Sequence, residues 1–144
     1  MNGTRTLLDE LFRRAGEQDL GRVLDLWHPD GVLEDVTLGR TMRGKPEVTA
    51  YLEEFFAAFA DLTYAPERVM VEGDTGAVLW SSRTRLHRPL FGFPARDQMV
   101  DLRGVDVFTV RDGVIGHESS WYGDAWLGVR LSCDSDALAR IPQP

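Results

Sequence analysis

A change of periodicity near residue 60 places the strongest limit on what this chain can fold into. Before it, apolar residues recur mainly every three to four positions, which is the spacing of amphipathic helices. After it, apolar and polar residues alternate over long runs, which is the spacing of strands that bury one face. A helical part followed by antiparallel strands predicts an α+β domain, with the helices on one face of a curved sheet.

Three helices are predicted in the first part of the chain. The first has Thr6 and Asp9 at capping-box spacing. The second carries an apolar stripe that ends at Trp27, before a helix-breaking run at residues 28–31. The third begins near Pro46, where a missing N–H costs nothing. Its apolar stripe is the strongest of the three and consists of Val48, Tyr51, Leu52, Phe55, Phe56 and Phe59.

Five strands are predicted, one of them between the second and third helices. Glycine-rich residues 73–76 and the pair Asp112-Gly113 predict tight connections between the later strands. A wider loop at Arg88–Asp97 is expected to close over a pocket mouth. The predicted strands are Val32–Leu38, Thr63–Glu72, Ala77–His87, Gln98–Val110 and Val114–Tyr122.

Length and charge exclude several classes of protein. The 144 residues fit one domain, which we expect to span residues 1–131, followed by a loosely ordered tail at 132–144. The net charge of −7 argues against nucleic-acid binding, because phosphate recognition needs clustered cations. No apolar run approaches the roughly 20 residues that span a membrane, and no secretory segment is evident. The lone Cys133 cannot form an internal disulfide, so we expect a cytoplasmic protein.

No motif for metal, nucleotide or covalent serine chemistry occurs. His28, His87 and His117 lack the spacing of metal-binding histidines. Neither a Gly-x-Ser-x-Gly elbow nor a phosphate-binding or dinucleotide-binding glycine motif is present. We therefore expect no metal and no cofactor. The chemistry that remains is carboxylate acid/base catalysis in an apolar pocket.

The most informative polar residue is Asp106. Side chains alternate between two faces of the predicted strand Gln98–Val110, and the face that carries Asp106 is otherwise apolar. Burial raises the pKa of a carboxyl group because it disfavours the charged form, and enzymes keep acids neutral at pH 7 in this way. Two interpretations stay open: Asp106 is a catalytic acid, or it is a scaffold residue paired with Arg83 or Arg85.

Other polar residues lie on strands whose buried face the pattern does not identify. Glu34 and Asp35 are adjacent, so they point to opposite faces, and one of them is expected to face the helices. A solvated edge strand is the alternative. On the last strand, one face carries Glu118, Ser120 and Tyr122. These three side chains either line a cavity or face water.

Several segments together resemble the SnoaL-like branch of the nuclear-transport-factor-2-like superfamily. The resemblance covers about residues 20–131, and its longest segment is Arg103–Ile115, which contains Asp106. Each segment alone is a weak match, but the set is specific for the fold. The other matching segments are residues 19–35, 42–45, 90–94, 121–124 and 127–128.

The resemblance implies a cone in which N-terminal helices and a strongly curved, mostly antiparallel sheet enclose a deep apolar pocket, usually in a homodimer. Family members include polyketide cyclases that perform aldol closure, ketosteroid isomerase, limonene epoxide hydrolase and the epoxide-opening cyclases of polyether biosynthesis. These enzymes share cofactor-free acid/base catalysis. Similar folds also serve as binding modules without catalysis, so the fold does not fix the function.

The resemblance also implies roles for individual residues. Asp35 resembles the general-base aspartate of ketosteroid isomerase and the acidic residue of the polyether enzymes. Asp106 matches the isomerase's protonated aspartate, which is kept neutral by an apolar site and donates a hydrogen bond to the developing enolate. The match places Glu118, Ser120 and Tyr122 in the pocket.

The chain differs from each of these enzymes at one or more of the positions that hold catalytic residues. Leu11 stands where the isomerase has its tyrosine. Arg83 matches the arginine of limonene epoxide hydrolase, but Arg85 and Ser120 replace the two acids of that enzyme. Cyclases of the SnoaL type have an aspartate in place of Ser120 and a histidine in place of Asp106. The resemblance therefore implies a shared pocket but not a copied mechanism.

We expect a cofactor-free cyclase or isomerase that acts on a hydrophobic, polyketide-like intermediate, with Asp35 as base and Asp106 as neutral acid. Preorganisation of a flexible substrate is expected to contribute to the rate. Two other functions stay open, namely epoxide opening and non-catalytic binding of an apolar metabolite. The residues expected to contact substrate are Trp27, Phe55, Phe59, Arg83, Glu118, Ser120 and Tyr122.

Overall fold

A computed structural model describes residues 3–92 and 94–123 and confirms the predicted α+β class. The predicted boundary at residue 131, the tail and Cys133 lie outside the described residues. No helix in the described part of the chain is long and apolar enough to cross a membrane. The elements are α1 (Gly3–Gly16), α2 (Leu20–Leu24), β1 (Trp27–Asp35), β2 (Arg40–Arg43), α3 (Lys45–Ala58), β3 (Phe59–Glu72), β4 (Thr75–Leu86), β5 (Gln98–Arg111) and β6 (Val114–Tyr122).

The six strands form one mixed, open sheet in the order β2-β1-β6-β5-β4-β3. All neighbouring strands are antiparallel except β1 and β6, which are parallel. Register shifts interrupt the β1–β6, β3–β4 and β5–β6 pairs. Such irregularities bend a strand and increase its twist.

Alternation along β5 determines which face of the sheet is buried. Val100, Leu102 and Phe108 are buried on the inner face, together with Asp106. On this face α1 packs against β3 and β4, while α3 packs against β1, β2 and β3. The core and the space enclosed by it therefore lie between the helices and the inner face.

Three predicted features of the first 60 residues are wrong. Helix α1 begins at Gly3, so Thr6 lies inside it and does not cap it. Helix α2 has five residues, and Trp27 begins β1, because residues 28–31 continue as an irregular strand. Phe59 has extended backbone angles and starts β3 after α3 has ended.

The later strands and their turns agree with the alternation. The β5–β6 connection is the predicted Asp112-Gly113 pair, and both residues have positive φ, at 54° and 77°. Two positive φ values define the type I′ turn that matches strand twist. Strand β2 was not predicted, because only Met42 of its four residues is buried and no period is visible over that length.

Candidate functional site

A cavity of about 80 Å³ lies between the helices and the inner face of the sheet. At roughly 10–15 Å³ for one water, this space holds several waters or a small organic molecule. Its walls are mostly aromatic and aliphatic, and its described lining includes no lysine, arginine or histidine. Five of the polar or ionisable lining residues are Tyr51, Asp106, Glu118, Ser120 and Tyr122.

Asp106 is 2% exposed and lies on the inner face of β5. Ser120 is its register partner on β6, and the Ser120 hydroxyl donates a 2.6 Å hydrogen bond to Oδ1 of Asp106. Burial raises the pKa of Asp106 to about 6, against the lowering effects of Ser120, Trp80 and Glu118. A carboxyl group with this pKa exchanges a proton readily near neutral pH.

Glu118 is the second carboxyl group of the cavity. It is partly accessible, but the accessible surface faces the cavity, and burial raises its pKa well above the ordinary value. The nearby Asp106 carboxylate raises this pKa further. No hydrogen bond of standard geometry joins the two groups among the described residues, yet they lie close enough for one to change the pKa of the other. Both carboxyl groups thus hold a proton more tightly than an exposed acid does, and the ionisation of one affects that of the other.

Asp35 is fully buried behind two tyrosines. The hydroxyls of Tyr51 and Tyr122 each donate a 2.6 Å hydrogen bond to Oδ2 of Asp35. The backbone N–H of Leu38 donates to Oδ1 at 2.9 Å. Asp35 does not line the cavity, whereas both tyrosines do. Its carboxyl oxygens are thus committed to protein donors.

The two tyrosines remain protonated because their surroundings disfavour the phenolate. Burial is the main reason that the pKa values of Tyr51 and Tyr122 are raised, and the Asp35 carboxylate raises both of them further. Phenols in this state can donate a hydrogen bond but do not act as bases near neutral pH.

Residues 8–117 match a family model for the SnoaL-like domain. The chain belongs to this family. No curated protein sequence matches the chain.

Solved structures show the same fold at low sequence identity. A protein of Jannaschia sp. CCS1, provisionally assigned as a SnoaL-like polyketide cyclase, is 24% identical with a TM-score of 0.80, over 92% of each chain. AclR of Streptomyces galilaeus, provisionally assigned as a hydroxylase, is 20% identical with a TM-score of 0.76, over 97% of this chain and 87% of AclR. A protein of Catenulispora acidiphila has a ketosteroid isomerase-like fold and was solved in complex with trimethylamine. It is 13% identical with a TM-score of 0.71, over 88% of this chain and 91% of the Catenulispora chain.

The SnoaL-like domain brings most of the predicted substrate-contacting residues to the cavity. Trp27, Phe55, Glu118, Ser120 and Tyr122 all line it. Phe59 does not: it is buried in the core, where its ring meets that of Phe55 at 4.9 Å.

Arg83 does not reach the cavity of the SnoaL-like domain either. Its side chain is 65% exposed and forms a 3.6 Å ion pair with Asp101, its register partner on β5. Arg85 likewise pairs with Asp97 at 3.5 Å. The alternative prediction that one of these arginines pairs with Asp106 is therefore wrong, because the alternation of β4 directs them away from the inner face.

Among the cavity-lining residues that the sequence did not predict as members of the site, three carry a polar group, namely Tyr51, Tyr64 and Trp80. Tyr51 could have been found, since it carries the only hydroxyl in the apolar stripe of α3. Tyr64 and Trp80 line the cavity from β3 and β4, and their rings stack at 4.9 Å. Nothing in their local sequence distinguishes them from ordinary core aromatics.

The loop predicted to close over the pocket contacts a residue of the cavity wall. Phe91 stacks on Tyr51 at 4.8 Å, and the Arg40 guanidinium lies 4.4 Å from the centre of the Phe91 ring. Leu90 is buried beside them. Among the described residues, no cluster of histidine, cysteine, aspartate and glutamate is placed to hold a metal.

Proposed function

We propose that this SnoaL-like protein is a cofactor-independent cyclase or isomerase that moves a proton on a hydrophobic, polyketide-like carbonyl compound. The observation that carries the proposal is the pair Asp106 and Glu118, two carboxyl groups that share an apolar cavity and have raised pKa values. We assign Asp106 as the base and Glu118 as the acid, because two neighbouring carboxyl groups in one apolar site do not both ionise readily.

The charge of the cavity supports an uncharged substrate. The described lining has two carboxyl groups and no cationic side chain. An anionic substrate would be repelled by Asp106 and would find no partner. A neutral ketone or ester with apolar surface fits the aromatic walls, and the hydrophobic effect favours its transfer from water.

Asp106 is the proposed base. In the first step the C–H bond next to the substrate carbonyl breaks, and the proton passes to the Asp106 carboxylate. The electron pair forms a C=C bond, and the carbonyl π electrons move to oxygen. The proposed acid Glu118 donates a hydrogen bond to the substrate and keeps its proton. In isomerisation, the proton on Asp106 returns to a different carbon. In cyclisation, the enolate carbon attacks a second carbonyl, and the proton on Asp106 passes to the alkoxide that forms, which regenerates the base.

Asp35 has a different role in this proposal from the one the resemblance implied. Because its oxygens accept from Tyr51, Tyr122 and Leu38, it has little capacity left to remove a substrate proton. It holds the two tyrosines in place, and we propose that it positions this wall of the cavity. The polyketide cyclase assignment of the Jannaschia structure is consistent with the proposed reaction class.

Hydrogen exchange provides the test. Cyclohexanone in D₂O should exchange its α-hydrogens faster with the wild-type protein than in buffer. Asp106→Asn should reduce that catalysed exchange by about 10² to 10⁴. Asp101→Asn is a matched control on the outer face of the same strand, where the side chain is 70% exposed. This variant should catalyse the exchange at the wild-type rate. Cyclohexanone that binds without exchange would indicate a non-catalytic binding protein.

We also propose that the protein is a homodimer that pairs through the outer face of the sheet. Leu79, Val105 and Trp121 are register partners on β4, β5 and β6 and form an apolar row there. Trp121 is 45% exposed. A row of this kind on an outer sheet face is typical of a protein interface.

A further inference from the structure

We propose that the hydroxyl of Tyr64 is a catalytic hydrogen-bond donor to the carbonyl oxygen of the substrate, an inference that rests on the proposed proton transfer. Tyr64 lies on β3, on the side of the cavity away from Asp35, and none of the predicted roles included it. The inference comes from which hydroxyl groups of the cavity are already engaged and which one is not.

The other hydroxyl donors of the cavity are committed to carboxyl groups. Tyr51 and Tyr122 donate to Asp35, and Ser120 donates to Asp106, each at 2.6 Å. Within residues 3–92 and 94–123, the Tyr64 hydroxyl has no hydrogen-bond partner. It is therefore the phenol of this site that remains available to a ligand.

A second unpartnered donor helps to define what Tyr64 can do. The indole Nε1 of Trp80 is buried and has no hydrogen bond in the described part of the chain. Its N–H lies close enough to Asp106 to lower the pKa of that carboxyl. Because Nε1 has almost no accessible surface, it acts on Asp106 and does not reach a ligand. The Tyr64 hydroxyl, in contrast, belongs to a residue that lines the cavity and is partly accessible.

Packing holds the Tyr64 ring in one orientation. The ring stacks on Trp80 at 4.9 Å with an interplanar angle of 28°, and Phe12 of α1 packs against it at 5.1 Å. Both neighbours are buried. A donor fixed in this way needs little reorganisation when charge develops on a substrate oxygen, which is the requirement for effective electrostatic stabilisation.

The surroundings also keep Tyr64 protonated. Burial raises its pKa well above the ordinary value, and the nearby Asp106, Glu118 and Tyr122 raise it further. The same neighbours place the hydroxyl close to the proposed base and acid. When Asp106 takes the C–H proton, Tyr64 stabilises the resulting enolate oxygen by a hydrogen bond and keeps its own proton.

The test compares Tyr64→Phe with wild type, using two probes of nearly the same shape. Cyclohexanone offers a carbonyl oxygen, and methylenecyclohexane replaces that oxygen with a CH₂ group. Tyr64→Phe should weaken cyclohexanone binding by about 2- to 12-fold, the usual range for one hydrogen bond, and leave methylenecyclohexane binding unchanged. The infrared C=O stretch of ¹³C-labelled cyclohexanone should shift to lower wavenumber in the wild-type cavity, and Tyr64→Phe should remove that shift. Tyr51→Phe should retain it.

The rate of α-hydrogen exchange in cyclohexanone, measured beside the carbonyl shift, distinguishes failure of this inference from failure of the proposed function. Tyr64→Phe should lower the catalysed exchange of cyclohexanone by about 10²- to 10³-fold, as loss of one oxyanion donor does. A carbonyl shift that depends on Tyr64 in a wild-type protein without exchange would support the hydrogen bond and overturn the proposed reaction. A carbonyl shift and an exchange rate that are both unchanged in Tyr64→Phe would overturn the inference about Tyr64. The variant should fold, because it removes only a hydroxyl that has no hydrogen-bond partner among the residues that the structure describes.

Discussion

The indole of Trp80 lies directly over the backbone of Gly104, its register partner on the neighbouring strand. A Cβ built on Gly104 would come within 2.5 Å of Cζ2 of Trp80 and 2.6 Å of the carbonyl oxygen of Trp121. A glycine within a strand often marks such a close approach. Gly104 thus provides the space in which Trp80 reaches across β5 towards Tyr122, whose ring is 6.3 Å away.

Gly104→Ala should therefore lower the free energy of unfolding by about 1–3 kcal/mol, the usual effect of overpacking a core. One of the two obstructing atoms belongs to the backbone and cannot rotate away. Chemical denaturation measures the change. Gly3→Ala is the control, because nothing lies within 4 Å of its added Cβ, and it should cause no loss of stability. Equal stability of Gly104→Ala and wild type would contradict the observed packing.

Asp106→Asn should stabilise the folded protein at pH 7 while it removes catalysed exchange. The folded-state pKa of Asp106 is raised from 3.8 to about 6. For an acid this means that folding binds extra protons between these pH values, so the wild type loses stability as pH rises from about 4 to 6. This pKa shift lowers the free energy of unfolding of the wild type by about 3 kcal/mol at most.

Denaturation of wild type and Asp106→Asn across pH 4 to 8 measures this effect. The two proteins should have similar stability near pH 4, and the variant should become the more stable one above pH 6. Asp101→Asn on the outer face should follow the wild-type curve. A variant less stable than wild type at pH 7 would indicate that Asp106 is a scaffold carboxylate.

The pH dependence of exchange distinguishes Asp106 from Asp35 as the base. The rate should rise with pH through a midpoint near 6, since Asp106 must lose its proton before it can accept one. Asp35→Asn should keep that midpoint, although it should lower stability by about 1–3 kcal/mol by disturbing buried hydrogen bonds. Loss of the midpoint in Asp35→Asn, with a drop of about 10² or more, would make Asp35 the base instead.

Trp121→Glu should convert the expected homodimer to a monomer, because it places a charge in the apolar row of the outer face. Sedimentation at micromolar concentration gives the measurement. Met70→Glu is the matched control, since Met70 is 51% exposed on the edge strand β3 and lies outside the row. A wild-type protein that sediments as a stable monomer would contradict the dimer proposal.

Local pattern was sufficient to predict several features of the fold and site. Alternation along β5 identified the buried face and placed Asp106 on it, and alternation along β6 grouped Glu118 with Ser120. The Asp112-Gly113 pair identified a hairpin, because its turn needs a positive φ at two consecutive residues and few residue types other than Asn, Asp and Gly adopt one. Each of these features depends on residues within a few positions of one another.

Other features depend on contacts between distant parts of the chain. The parallel pairing of β1 with β6 makes Ser120 the register partner of both Asp35 and Asp106. No turn joins those two strands, so no sequence signal reveals their register. The same pairing, together with the packing of α3, brings Tyr51 and Tyr122 onto Asp35 and separates it from the cavity.

The α+β class, the buried face of β5 and the presence of an acid among apolar residues were predictable from the sequence, because strand period and turn chemistry are local properties. Only the tertiary structure decided which carboxyl groups face the cavity, that Arg83 points away from it and that the Tyr64 hydroxyl has no partner in the described chain. Hydrogen-bond partners and desolvation are set by groups far apart in sequence, and these determine the chemistry of a buried acid.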